Sequence, residues 1–147
     1  MLKEIVIPFI VILVLFLVID LPVILYFNKA MYQKQFNRIN NGDIKSGTHV
    51  WISGAIAYLL LAFGIYFFVV KQELTNDNQD YKNIFIKGLS LGLIIYGIYN
   101  GTNKATINEW GTEESIKDTI WGTFLSGLLA VSSVYIIKKY NKLNLTN

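Results

Sequence analysis

Apolar positions along this chain fall into four blocks, separated by short stretches in which charged and amide side chains take over. The blocks cover about residues 5–27, 50–70, 84–104 and 116–137. A helix that crosses the hydrocarbon needs roughly 20 residues at about 1.5 Å each. All four blocks reach that length, the third only by running on into the Asn-rich "YNGTNK". In lipid the backbone must satisfy its own hydrogen bonds. The pattern therefore predicts an all-α integral membrane protein, a single membrane domain over 1–147. Its four transmembrane helices form an antiparallel bundle.

The first block is longer than a signal-peptide core, and no small-x-small cleavage site follows it, so it reads as a retained helix. Pro8 sits in its first turns, where a missing N–H costs little. Pro22 lies inside and is expected to kink or end the helix near Asp20. Between the first two blocks, Tyr32, Phe36 and Ile39 recur at helical spacing, with Lys29, Lys34 and Arg38 among them. That predicts a short helix lying at the membrane interface, stopped by "NNG" at 40–42. "KQELTNDNQDYKN" reads as a solvated turn.

Composition agrees with this pattern. More than half of the 147 residues are apolar (53%), the mean hydropathy is +0.43, and only 16% are charged. A net charge of +3 without a basic, aromatic-interleaved patch argues against a nucleic-acid partner. Cysteine is absent, which excludes disulfide scaffolds, thiolate zinc sites and redox dithiols. The side of the N-terminus, second loop and C-terminus carries seven Lys or Arg, Lys87 included, against six on the side of the first and third loops. The count leans to both termini being cytosolic.

With four alternating helices, the end of the first, the start of the second, the end of the third and the start of the fourth share one membrane side. The unusual polar residues sit there: Asp20; His49, Trp51 and Ser53; Asn100, Thr102 and Asn103; Asp118, Thr119 and Trp121. The opposite side offers little beyond Lys87, which can snorkel. A carboxylate inside a membrane helix costs about 2.5–3.5 kcal/mol near its centre, so Asp20 needs a partner or water. Lys104 is the candidate cation, and Asn100, Thr102 and Asn103 are candidate donors. Tyr96, Asn100 and Asn103 fall on one helical face if the third helix continues past Gly101.

The simpler readings are structural. Asp118, Gly122, Ser126 and Ala130 form a small and polar stripe, and Gly88 with Gly92 and Gly97 with Gly101 are two small-xxx-small pairs. These are first of all helix-packing devices. Trp51, Trp110 and Trp121 look like interfacial belt residues, and Glu109, Glu113 and Glu114 like a solvated loop face. His49 is the single histidine and lacks metal-ligand spacing, so no metal and no cofactor are expected. No catalytic motif is evident.

At "YGIYNGTNKATINEW" and "KDTIWGTFLSG" the chain resembles the DUF2177 family of small predicted membrane proteins. The matching positions are Tyr96, Tyr99, Thr102, Asn103, Ala105, Thr106, Trp110, Asp118, Trp121 and Gly122. Asp20 in "FLVIDLPV", Tyr58 and "KGLSLG" also fit. The chain departs from the family where it has Asn100 in place of an Asp, and Pro22 and Val23 where a Trp usually follows the first-helix Asp. The resemblance implies the four-helix architecture and the importance of the polar cluster, and brings no activity with it.

The binding residues expected from all this are Asp20, Tyr96, Asn100, Thr102, Asn103, Asp118 and Trp121. The functional expectation is a polytopic protein in the lipid bilayer that binds or conducts a small polar solute or ion, as a homo-oligomer if it forms a pore. The alternatives are a non-catalytic scaffold in which the cluster only packs helices, and an enzyme acting on lipid headgroups.

Overall fold

The computed structural model describes residues 2–40 and 47–145. Their regular structure is helical: α1 (Leu2–Pro22), α2 (Lys29–Asn40), α3 (Thr48–Ile65), α4 (Lys71–Leu74), α5 (Tyr81–Thr106) and α6 (Thr112–Leu145). π-helical turns at Val23–Phe27 and Tyr66–Val70 extend α1 and join α3 to α4. Among the described residues, four stretches are long and apolar enough to cross a membrane: Ile5–Phe27, Thr48–Leu74, Tyr81–Thr106 and Thr112–Lys142.

The regular α-helix ends at Pro22, close to Asp20, where the sequence predicts a kink or an end. The chain stays helical to Pro22 and then widens by one residue per turn, with Asn28 N donating to Val23 O at 2.7 Å. Wide turns of this kind inside α-helices often lie beside functional sites. α2 forms where the helical spacing predicts it. Of the expected "NNG" stop, Asn41 and Gly42 lie outside the described residues. The Asn-rich stretch is helical through Thr106, so the third spanning helix does continue past Gly101. Asp80 caps its start, accepting from the N–H groups of Lys82 (3.0 Å) and Asn83 (3.1 Å).

α6 is the hub. It packs along α5 and also touches α1 and α3. Ile12 and Phe16 of α1, Ala62 and Ile65 of α3, and Leu125, Leu129, Ala130 and Val134 of α6 form the buried core. The outward faces keep large apolar side chains exposed, among them Leu60, Phe68 and Ile94. That is the arrangement a lipid solvent permits, since lipid tails are as apolar as the core.

The closeness of α5 and α6 comes from small residues. A methyl group placed on Gly88 would lie 2.7 Å from Gly127 Cα and from Ser126 O, and one on Gly92 would lie 2.7 Å from Ser126 Cβ. The expected stripe on α6 is thus matched by Gly88 and Gly92. The pair Gly97 and Gly101 is not used in this way. A methyl on either would meet nothing within 4 Å.

The far end of the molecule holds more polarity than expected. Lys87 does not simply snorkel. Its Nζ lies 2.6 Å from Glu73 Oε1, and the Glu73 side chain is only 7% exposed. Glu73 lies in the segment whose pattern predicts a solvated turn. Helical continuation through α4 instead turns it inward to meet a cation on α5.

Candidate ligand cavity

Asp20 is 4% exposed and is held between two helices. Its Oδ1 accepts from Trp121 Nε1 of α6 at 2.9 Å, and its Oδ2 accepts from Tyr58 OH of α3 at 2.8 Å. Asp118 is held in the same manner. Its Oδ1 accepts from Tyr32 OH of α2 at 2.6 Å, and its Oδ2 from Asn100 Nδ2 of α5 at 2.7 Å. Each carboxylate thus takes one bond on each oxygen. All four donors are neutral.

Hydrogen bonds from neutral donors to a carboxylate are strong, but they leave its charge in place. No Lys or Arg among the described residues forms an ion pair with Asp20 or Asp118. The expected cation, Lys104, is committed elsewhere: its Nζ donates to Trp110 O at 2.6 Å. Lys104 lies on the last turn of α5 and reaches over the α5–α6 turn, which pins Trp110 inward instead of approaching Asp20.

Both carboxylates line one cavity of about 580 Å³. Its wall is mainly apolar and aromatic, with Phe16, Tyr32, Tyr58, Tyr96, Trp110 and Trp121 among the lining side chains. Lys29, Gln35 and Glu114 contribute polar groups. The volume is of the size that holds small organic ligands, roughly 300–1,000 Å³.

α2 closes one side. Gln35 Oε1 accepts from the backbone N–H of Gly111 at 2.9 Å. Arg38 Nη1 lies 3.3 Å from Glu114 Oε2, and Lys34 Nζ lies 3.2 Å from Glu114 Oε1 and 3.4 Å from Glu113 Oε2. Glu114 is therefore not merely part of a solvated face, whereas Glu113 stays solvated with its side chain 60% exposed. Glu114 is 5% exposed and stands in the first turn of α6, where the helix dipole also favours negative charge. Burial, then the adjacent Asp118 carboxylate, push the Tyr32 hydroxyl well above its ordinary pKa, so Tyr32 stays a donor. Gln35 is 4% exposed, and its Nε2 has no partner among the described residues.

A family model of predicted membrane proteins, DUF2177, matches residues 5–135 of the chain. The chain belongs to the DUF2177 family. With its four spans, it is an integral, multi-pass membrane protein. No curated protein and no solved structure matches it. Membership covers all the helices that build the cavity, from Asp20 to Trp121.

Of the residues singled out in the sequence, Asp20, Tyr96, Asn100, Asp118 and Trp121 line the cavity together. Thr102 and Asn103 do not. Thr102 Oγ1 donates back to Ile98 O (2.7 Å) on its own helix, and Asn103 pairs with Tyr99 one turn away. Trp51 is 80% exposed, and Ser53 Oγ donates to His49 O within its own helix, so the start of α3 stays out of the site. α3 contributes Tyr58 instead, further into the membrane.

Two residues were read otherwise. Tyr32 looked like one member of an apolar stripe, and its hydroxyl, free to bond a carboxylate, was the available signal. Trp110 looked like a belt residue but is buried, with its ring edge-on to Tyr99 at 5.8 Å.

Proposed function

We propose that the cavity is a binding site for a small polar solute or ion, and that binding or passage of that solute is the protein's role. One observation carries the reading. Two carboxylates in candidate membrane spans border a cavity of ligand size, and neither forms an ion pair with a cation among the described residues. Ionisable groups within membrane helices mark substrate and ion paths far more often than they serve as packing. In this reading α2 lies at the membrane surface and covers the site. Passage, as opposed to binding, would call on a homo-oligomer, since four helices enclose little lumen.

The test is reconstitution. Proteoliposomes are challenged with a panel of monovalent ions, polyols, amino acids and amines, against empty liposomes. Protein-dependent flux or saturable binding that Asp118→Asn and Asp20→Asn abolish, with both variants still monodisperse and helical, is the expected outcome. A panel indistinguishable from empty liposomes, or a signal unchanged in both variants, sinks the idea.

The alternative of a scaffold draws on a different observation. The two carboxylates tie α1 to α3 and α6, and α6 to α2 and α5. If tying helices is their whole role, the same variants lower thermal stability and no solute ever registers.

A further inference from the structure

We infer that the cavity's occupant is an organic cation: an ammonium group carried on an apolar body. This rests on the ligand-binding reading above and narrows it. The charge argument comes first. Asp20 and Asp118 bring two carboxyl groups to one cavity, and their protein partners are two phenols, an indole and an amide. Lys29 also lines the cavity but pairs with neither carboxyl group, so a ligand that enters with positive charge can pair with both. An anion would meet two carboxylates in a medium that screens poorly.

The wall decides between an inorganic and an organic cation. Calcium or magnesium wants about six to eight oxygen ligands in a tight shell. Among the described residues, no three of His, Cys, Asp and Glu come together in a group that could hold a metal ion. The wall offers aromatic faces and edges instead, and a cation beside an aromatic ring gains about 0.5–2 kcal/mol, more as water is excluded. A cavity of about 580 Å³ is far larger than a bare ion needs. It suits a charged head with a hydrocarbon or aryl tail.

The acceptor capacity is also in place. A carboxylate has about four lone-pair sites, and each Asp spends two on protein donors, so both can still accept from an ammonium N–H or face a quaternary nitrogen. Such a head could arrive on a free amine or on a lipid headgroup, and the chemistry of recognition is the same.

The experiment uses the full chain in nanodiscs of anionic phosphatidylglycerol, with empty nanodiscs as reference. Three probes are titrated by equilibrium dialysis: benzyltrimethylammonium, its neutral carbon isostere neopentylbenzene, and benzoate. Saturable, protein-dependent binding of the cation is expected, weaker by about tenfold or more for the isostere, with none for benzoate. Asp118→Asn and Asp20→Asn should erase the preference for the cation over its isostere. Equal binding of cation and isostere, or binding of benzoate, overturns the proposal, and it does so on the wild-type protein even if both variants fail to fold.

The source is separated by repeating the titration in nanodiscs of phosphatidylcholine. Loss of probe binding there identifies a lipid headgroup as competitor, and unchanged binding identifies a free amine. Should the wider solute panel give Asp-dependent flux of a neutral or anionic solute while the ammonium probe stays silent, this narrowing fails and the general binding site stands. Silence of every probe and of the whole panel removes both.

Discussion

Asp20 and Trp121 lie 101 positions apart in the chain and 2.9 Å apart in the fold, the indole N–H of Trp121 donating to Asp20 Oδ1. This contact joins the first spanning helix to the fourth. Together with the bond from Tyr58 OH to Asp20 Oδ2 at 2.8 Å, it sets the carboxylate in place without cancelling its charge.

Replacing Trp121 by Phe keeps a ring and removes the donor. Asp20 is buried, so one oxygen is left bare, at a cost of about 1–3 kcal/mol. The expected outcome is a lower midpoint of thermal unfolding in detergent, with helicity retained. Tyr58→Phe should act similarly. Because both donors serve one carboxylate, the double variant should depart from additivity by more than about 0.5 kcal/mol. A midpoint unmoved by Trp121→Phe would show that the indole does not hold Asp20.

Tyr32 gives a prediction with a pH sign. Its hydroxyl donates to Asp118 in the folded state, and burial raises its pKa above the ordinary value of 10.0. Asp118, Asp20 and Tyr96 all face it and disfavour its anion. A raised folded-state pKa means stability that is complete below the unfolded value and is lost as pH rises beyond it. The stability gap between wild type and Tyr32→Phe should therefore be flat below pH 10.0 and close at higher pH. Unfolding curves at several pH values check this. A gap that widens above that pH contradicts the assignment.

Gly111 is the point at which α2 meets the rest of the molecule. A methyl group there would overlap Glu114 Oε2 and lie 2.6 Å from Arg38 Nη1 and 2.7 Å from Gln35 Oε1. All three are ends of flexible side chains, so Gly111→Ala should displace them and break the Gln35 and Arg38 contacts that hold α2 to the start of α6, without forcing the backbones apart. Trypsin then reads the change, because Lys29, Lys34 and Arg38 all lie on α2. Fast cleavage there in Gly111→Ala, slow cleavage in wild type, and no change in Gly54→Ala, where a methyl meets nothing within 4 Å, are the expected results.

The four spans and the short α2 were legible because apolar run length and helical spacing are local signals. The gathering of Asp20, Asn100 and Asp118 in one cavity was legible too, since alternation of helices brings those helix ends together. Partner choice was not. Whether Lys104 reaches Asp20 or the carbonyl of Trp110 depends on how the α5–α6 turn closes, which no periodicity encodes. Tyr32 and Gln35 escaped for a related reason. Their role arises from α2 folding over Gly111, a contact between segments 76 residues apart. Thr102 was misplaced because a hydroxyl in a helix can satisfy itself on its own backbone, here on Ile98 O. Small-xxx-small spacing likewise marks close packing without saying which pair is used.

That last ambiguity is open to experiment. Gly88 and Gly92 face backbone or Cβ atoms of α6 within 3 Å of an added methyl, and backbone cannot give way as a flexible side-chain tip can. Gly88→Ala and Gly92→Ala should each cost about 1–3 kcal/mol through overpacking, because α5 must move away from α6. Gly97→Ala and Gly101→Ala carry the same spacing and the same change, yet meet open space. They should lose nothing, and helix propensity favours a gain of up to about 1 kcal/mol. Thermal unfolding of the four single variants in one detergent separates the pairs. If all four fall together, the contacts to α6 do not set the loss; if only the first two fall, the α5–α6 seam is where these glycines act.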